Sequence, residues 1–154
     1  YWESKAHKIV YTGQIQRYFD YMYGDLEYRS LDFKNYEVMT DFQGCSQMNY
    51  PDENTSWNRI IQHKHFTKSK SKYDLITYEY SKKYDSKDLT SQPYYAVNDE
   101  TNNLIYERYK EYYQKFTKNL IIGGRLGNYR YYDMDMTIAN ALNVCKRELA
   151  GNSV

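Results

Sequence analysis

The sequence predicts an α+β fold, in which an antiparallel β-sheet with flanking helices accompanies two strands of a second, parallel sheet. Three observations predict it: strand-forming segments between residues 26 and 80, helical periodicity on both sides of them, and two short aliphatic runs ending in glycine. The length of 154 residues fits one domain with a modest core.

The two aliphatic runs are KIVYT, at residues 8–12, and LII, at residues 120–122. Each precedes glycine and is typical of a buried strand in a parallel sheet. Such strands need neighbours and covering helices on both faces, and the chain contains too few elements of that type. We therefore expect the neighbours upstream of Tyr1, which stands where a natural N-terminus would have Met, or in another chain.

The middle of the chain predicts the antiparallel sheet. Strands are expected at residues 26–33, 59–66 and 73–80, with loops at 50–58 and 67–72 and an exposed excursion at 81–92. The alternation in RIIQHKHF, at residues 59–66, places Arg59, Ile61, His63 and His65 on one face of its strand.

Three helices complete the prediction. The first has its apolar residues between Ile15 and Met22 and stops at Gly24. The second is capped by Asn98 or Asp99, runs to about Lys118, and has an apolar stripe formed by Ile105, Tyr109, Tyr112 and Phe116. The third is capped by Asp133 or Asp135, with its inward face formed by Ile138, Ala141, Leu142, Cys145 and Leu149.

Composition excludes several classes of function. With 21 basic and 20 acidic residues, the net charge of +1 gives no general attraction to nucleic acid or to anionic membranes. No aliphatic run is long enough to span a bilayer, and no signal peptide is visible. Cys45 and Cys145 have no CxxC spacing, so we expect a reducing, cytoplasmic location.

The block GGRLGNYRYYDMD, at residues 123–135, follows a predicted strand and leads into a predicted helix. Glycine lets the backbone approach a ligand closely, and Arg125 can bind an anion through two nitrogens. Phenols such as Tyr129 and Tyr131, beside an arginine at a helix start, suit a diphosphate or an oxygen-rich ring. An aromatic staple over the helix start explains the block equally well.

Other candidate motifs are weaker. His63 and His65 on one strand face could hold a metal, but no third ligand is obvious, so no metal site is predicted. The 21 tyrosines are explained more simply by amphipathic packing than by a phenol-lined site. The sequence has no GxGxxG motif, no P-loop and no Ser/His/Asp set.

Five blocks in order carry a family resemblance: YTGQIQRYFDYMYGDLEYRSLDF, DFQG, RIIQHKHF, QPYYAVND and GGRLGNYRYYDMD. Together they resemble the C-terminal half of bacterial UDP-galactopyranose mutases. The resemblance runs from about Ser4 to Leu149, and it is thin across residues 34–58 and 67–91.

The resemblance implies a flavoenzyme that interconverts UDP-galactopyranose and UDP-galactofuranose, a precursor of cell-wall polysaccharide. Reduced FAD would attack the anomeric carbon and displace UDP before the ring recloses. It further implies that residues 1–24 and 99–154 belong to an incomplete α/β FAD-binding (Rossmann-like) domain, and that residues 25–98 form the antiparallel sheet region.

The resemblance also implies site residues. Those expected to bind or position the substrate are Arg59, Tyr95, Arg125, Tyr131 and Asp133, with Arg29 as a further member of the same site. Those expected to border FAD are Thr12, Gly13, Gly124, Arg125 and the backbone near Met134.

Three departures from the family pattern stand out. The usual TGPID reads TGQIQ at residues 12–16, Gln62 replaces a Glu, and Ala96 replaces a Pro. The dinucleotide-binding glycine motif belongs to the N-terminal half of the family and is not in this chain. We therefore expect the chain alone to bind FAD weakly or not at all and to show no turnover, because it would need the N-terminal half as its partner.

Two alternatives to that enzyme fragment remain. One is a non-catalytic module that binds UDP-sugars or glycans. The other, a single-stranded nucleic-acid binder with stacking phenols, lacks the basic charge that such a groove requires. The sequence leaves open whether the protein is a homodimer.

Overall fold

A computed structural model describes residues 4–151, which form a mixed α/β structure with an antiparallel sheet and flanking helices. The chain divides into two compact units. Unit 1 contains residues 1–28 and 95–154, and unit 2 contains residues 29–94. The predicted domain boundaries at residues 24/25 and 98/99 stay predictions.

Unit 1 is built around two short parallel strands, β1 (Ile9–Tyr11) and β7 (Leu120–Ile122). Val10 pairs with Ile121, and Leu120 and Ile122 on the other side of β7 are buried. Its other elements are α1 (Ile15–Tyr18), β6 (Tyr95–Ala96), α3 (Glu100–Phe116), α4 (Gly124–Gly127) and α5 (Met134–Leu149). Both aliphatic runs are therefore parallel strands, as the sequence predicts.

The core of unit 1 is aromatic because α3 presents phenols to the turn that follows α1. Tyr109 is fully buried, and its hydroxyl donates to the Gly24 carbonyl at 2.7 Å while accepting the Tyr23 N–H at 3.1 Å. Its ring stacks on Phe19 at 6.1 Å between centroids. Buried phenols that find a backbone partner combine apolar burial with hydrogen bonding, which favours Tyr over Phe here.

Helix α1 is shorter than predicted. The sequence places helical residues as far as Met22, whereas the helix ends at Tyr18, because Asp20 and Tyr21 adopt left-handed φ values of 47° and 58°. Gln16, which stands where the resemblance leads one to expect an acid, is fully buried and accepts a hydrogen bond from the Tyr28 hydroxyl at 3.1 Å.

Unit 2 is an antiparallel sheet in the strand order β3-β4-β5-β2. The strands are β2 (Tyr28–Val38, whose first residue belongs to unit 1), β3 (Gln47–Asn49), β4 (Arg59–Gln62) and β5 (Asp74–Lys83). The long pairing of β2 with β5 runs from Arg29 opposite Lys83 to Val38 opposite Asp74. Strand β3 and the extension of β2 to Val38 are not in the sequence prediction.

The predicted strand over residues 59–66 is wrong in its second half. The chain leaves the sheet after Gln62 and forms α2 (His63–Thr67), which ends at the left-handed residue Lys68. The Asp74 carboxylate explains the change, because it accepts both the Lys64 N–H at 3.0 Å and the Gln62 side-chain amide at 2.7 Å. Such local bonds stabilise a turn in place of a further ladder.

The orientation predicted for α5 is also wrong. All five residues predicted to point inward are exposed: Ile138, Ala141, Leu142, Cys145 and Leu149. The partly covered positions are Thr137, Asn140, Val144 and Glu148. The helix therefore turns a mostly polar side toward its own unit and its most apolar side outward.

Candidate functional site

The loop after β7 carries the candidate site of unit 1. Gly124 begins α4 at φ +74°, which suits glycine, and a Cβ there would lie 3.3 Å from the Cβ of Thr12. The loops that follow β1 and β7 thus touch at the carboxyl ends of two paired parallel strands. This edge is where open parallel sheets bind ligands.

Arg125 is the central residue of the site. Its guanidinium carbon lies 5.2 Å from the ring centre of Tyr95 and 4.9 Å from that of Tyr131. The two rings stack on each other at 5.4 Å with an interplanar angle of 29°. We call these three residues the Arg125 cluster.

Two nitrogens of Arg125, Nε and Nη2, are buried and have no hydrogen-bond partner in residues 4–151. Leaving buried polar groups unpaired is costly, most of all when they carry charge. The contact with two phenol faces compensates only part of that cost. The arrangement suits an acceptor supplied by a ligand, and a planar guanidinium fits phosphate or carboxylate oxygens.

Tyr129 holds the Arg125 cluster in place. The single proton of its hydroxyl is shared between the carbonyl oxygens of Glu27 at 2.6 Å and Val97 at 3.0 Å, and the Val97 N–H donates to the Glu27 carbonyl at 3.1 Å. Burial raises the pKa of Tyr129 above its ordinary value. This residue, part of the phenol run in the sequence, is therefore a core donor between the segments that carry Tyr95 and Arg125.

The remaining predicted residues of unit 1 surround this loop. Asp133 is exposed and precedes α5, but its carboxylate makes no capping hydrogen bond. Met134 is exposed at the first position of that helix. Gly13 leaves room for Tyr11, since a Cβ there would lie 2.6 Å from the phenol oxygen. The structure thus brings Tyr95, Arg125 and Tyr131 into contact.

Arg59 and Arg29 belong to unit 2. The Arg59 side chain donates to Asn49 at 3.1 Å and lies 3.7 Å from the Glu79 carboxylate, which also accepts from Asn58. Arg29 donates to Ser81 at 3.0 Å. The register β2-β5-β4 places both arginines on one face of the sheet, because directly opposed residues share a face.

The two histidines of RIIQHKHF are separate structural residues. His63 Nε2 lies 2.8 Å from the Thr77 hydroxyl, and His65 Nε2 lies 3.0 Å from an Asp41 carboxylate oxygen. Among the residues that the structure describes, no group of three or more side chains could hold a metal ion. Between residues 4 and 151, no helix has the length and apolar character needed to cross a bilayer.

A partly buried arginine with phenol partners, at the carboxyl end of parallel strands, suits the binding of a phosphorylated ligand. The sequence profile of UDP-galactopyranose mutase matches residues 1–131. The chain therefore belongs to the UDP-galactopyranose mutase family.

Curated relatives agree with this assignment. The chain is 37% identical to a probable UDP-galactopyranose mutase of Klebsiella pneumoniae, over 96% of this chain and 38% of that protein. It is 36% identical to a dTDP-fucopyranose mutase of Escherichia coli, over 97% of this chain and 39% of that protein. A UDP-galactopyranose mutase of Mycoplasma pneumoniae is 34% identical over 87% of this chain and 34% of its own length. The chain thus spans less than two fifths of the length of each of these relatives.

Proposed function

We propose that the chain is the C-terminal part of a flavin-dependent mutase that interconverts UDP-galactopyranose and UDP-galactofuranose. Family membership and the partial coverage of the relatives support this proposal. In it, β1, β7 and α5 belong to a Rossmann-like FAD-binding domain that residues outside this chain complete. The chain alone is inactive.

The observation that carries the proposal is the pair of buried, unpartnered nitrogens on Arg125. A sugar nucleotide offers diphosphate and ring oxygens, and FAD offers carbonyl oxygens, so both are acceptors that the guanidinium can use. Nothing lies within 4 Å of the position that a Cβ on Gly123 would take, so the backbone beside Arg125 has room for a ligand. The residues present therefore fit a flavin with a sugar diphosphate beside it.

When bound, reduced FAD supplies the nucleophile, and the protein need not supply one from a side chain. Arg125 neutralises oxygen charge where flavin and sugar meet. The phenols of Tyr95 and Tyr131 donate to the diphosphate, and their rings keep water from the guanidinium. Asp133 orients neighbouring polar groups at the start of α5, and Thr12, Gly13 and the backbone at Met134 border the flavin.

Arg59 is proposed as a second diphosphate-binding residue, on the basis of family resemblance. Its contacts with Glu79 and Asn49 hold the side chain against the sheet of unit 2. An arginine whose rotamer is already fixed loses less conformational entropy when it binds a phosphate.

The test combines the chain with the part of the Klebsiella pneumoniae relative that it does not match. We expect no flavin absorbance and no turnover from the chain alone. The co-expressed pair, reduced with dithionite, should convert UDP-galactofuranose to UDP-galactopyranose, as followed by chromatography. Turnover by the chain alone, or an inactive pair that has formed and holds FAD, would contradict the proposal.

Arg125→Met and Arg130→Met form a matched pair of variants in that assay. Arg130 is exposed and lies only five residues from Arg125. The Arg125 variant should lose about 100-fold or more in turnover, the scale of losing one electrostatic contact to the reacting groups. The Arg130 variant should stay within about twofold.

Two further measurements separate the alternatives. Micromolar binding of UDP to the chain alone, without flavin, would favour a non-catalytic binding module. Because one relative is named dTDP-fucopyranose mutase, dTDP-fucopyranose is assayed beside UDP-galactopyranose. A preference for it would change the sugar nucleotide and keep the class of reaction.

A further inference from the structure

We infer that α5 binds the rest of a mutase polypeptide through its exposed apolar side. The inference rests on the proposed function only in that the partner is the remaining part of a family chain. We call this surface the apolar arc, and it consists of Met134, Ile138, Ala141, Leu142, Cys145 and Leu149.

The apolar arc is continuous on the helix. At 100° per residue, its six positions fall within about 100° of the helix circumference, from Ala141 to Leu142. All six side chains are exposed, and the four large ones range from 56% exposed at Leu142 to 89% at Leu149. Scattered exposed apolar residues are ordinary, but a contiguous stripe of them marks an interaction surface.

If this chain supplied every element that packs on α5, the helix would be expected to bury its apolar side and expose its polar side. Surface helices bury their apolar stripe, whereas the side that α5 turns toward its own unit has one apolar residue, Val144, among Thr137, Asn140 and Glu148. Even this side packs loosely, because a cleft of about 620 Å³ lies between α5, β7 and the end of α3. This cleft is open to solvent, so even the side of α5 that faces its own unit is only partly covered.

The parallel strands indicate what kind of protein completes α5. In the described residues β1 and β7 pair only with each other, and the side chain of Val10 on β1 is 67% exposed. Parallel sheets are stable when more strands extend them and helices cover both faces. The match to this chain covers 38% of the Klebsiella pneumoniae relative. The larger, unmatched part of that relative is therefore available to supply the further strands and helices.

A second copy of this chain suits the surface less well. Closed dimers have twofold symmetry, and a twofold axis pairs a strand with its own copy in antiparallel orientation. Such a dimer could cover the apolar arc but could not extend a parallel sheet. The occupant is therefore a parallel-sheet segment with its helices, supplied by the unmatched part of a mutase chain.

The first experiment co-expresses the tagged 154-residue chain with the unmatched part of the Klebsiella pneumoniae relative and measures how much of it is retained. The double variant Ile138→Asp/Leu142→Asp disrupts the apolar arc. Ala139→Asp/Asn143→Asp is its control, with the same spacing and the same added charge on exposed positions of the other side of α5. Circular dichroism checks that both variants keep their helix content.

We expect the native chain and the control to retain the partner in a 1:1 complex, and the disrupting variant to retain about tenfold less or lower still. Failure of the native chain to retain the partner overturns the inference. Equal retention by the two double variants also overturns it. So does a homodimer of the native chain that the disrupting variant alone abolishes.

The second experiment uses the two native cysteines of the unmodified chain. Cys145 lies in the apolar arc, and Cys45 lies in unit 2. Iodoacetamide should alkylate Cys145 about tenfold more slowly in the complex than in the free chain, while the rate at Cys45 stays constant. An unchanged rate at Cys145 in a formed complex would place the interface elsewhere.

Both readouts are independent of turnover and are made without UDP-sugar. A complex that forms through the apolar arc and holds FAD but has no mutase activity would overturn the proposed function alone. An active pair that retains its partner equally well with Ile138→Asp/Leu142→Asp would overturn only the inference that the apolar arc is the interface.

Discussion

Tyr129 and Gln62 are buried polar residues that form hydrogen bonds between separate segments of the chain. Each is buried, and each contacts polar groups from a segment distant in sequence. A buried polar group that loses its partner costs more than the bond itself contributes to stability. Both positions should therefore respond strongly to small chemical changes.

Tyr129→Phe removes one oxygen and leaves the carbonyls of Glu27 and Val97 without their phenol donor. We expect the free energy of unfolding in urea to fall by about 1–2 kcal/mol. Tyr73→Phe, at a ring that is half-exposed on unit 2, is the control and should change stability by less than about 0.5 kcal/mol. Equal losses in the two variants would show that the buried hydroxyl has no special role.

Gln62 stands where the family resemblance leads one to expect Glu, and its side chain contacts Asp74. The amide donates to Asp74 at 2.7 Å, which a carboxylate could not do. Desolvation raises the pKa of Asp74, but hydrogen bonds from Gln62, Leu75 and Lys64 outweigh it and hold that pKa below its ordinary value. This stabilisation is present above the unfolded-state pKa of about 4 and is lost as pH falls through the folded-state pKa.

Gln62→Glu should make stability depend on pH in the opposite direction. Two buried carboxyl groups within hydrogen-bonding distance must share a proton, so a folded-state pKa rises above its unfolded value of about 4. The variant should therefore be near native stability at pH 4 and lose about 2–4 kcal/mol by pH 7. Urea unfolding between pH 4 and 7 measures this, with Gln47→Glu on exposed strand β3 as control. A pH-independent loss would exclude the shared proton.

At the scale of elements, the two long helices begin in different ways. Asp99 caps α3, and its carboxylate accepts the Asn102 N–H at 2.8 Å. Asp133 occupies the same position before α5, but its carboxylate accepts no capping bond. Because the Asp133 carboxylate does not cap the helix, it can bond to other polar groups, which agrees with the site role proposed for this residue.

Asp99→Ala should therefore lower the free energy of unfolding by about 1 kcal/mol, the usual cost of losing an N-cap. Asp133→Ala is the matched control and should cost clearly less, because only its interaction with the helix dipole is lost. Denaturation followed by circular dichroism at 222 nm compares the two variants. A larger loss at Asp133 would show that its carboxylate does cap α5 in solution.

At the scale of the whole molecule, the sequence predicts most elements because their signals are local. Each signal marks an element only a few residues away. Examples are the glycines after KIVYT and LII, the N-cap Asp99 and the alternation before Gln62. The contact of Arg125 with Tyr131 is likewise close in sequence. Tyr95, 30 residues away, was placed in the same site as Arg125 only by the family resemblance, and their direct contact was not predicted.

The errors have physical causes that no local pattern reveals. The segment RIIQHKHF has the alternating pattern of a strand. However, Asp74 on the neighbouring strand β5 accepts a hydrogen bond from the Lys64 N–H, and the chain forms α2 there. The apolar residues of α5 were assigned to an inner face because periodicity gives the position of a stripe and not the partner that covers it. The role of Tyr129 was missed because a phenol suits a core and a ligand equally well.

In the proposed site, the hydroxyl of Tyr129 also affects the thermodynamics of ligand binding. It ties the segment before α3, which carries Tyr95, to the loop that carries Arg125 and Tyr131. The loss of conformational freedom needed to bring these three side chains together therefore occurs during folding and not when the ligand arrives. Calorimetry of the assembled enzyme should accordingly show a more unfavourable binding entropy for UDP after Tyr129→Phe, because the lost hydroxyl bonds to the backbone carbonyls of Glu27 and Val97.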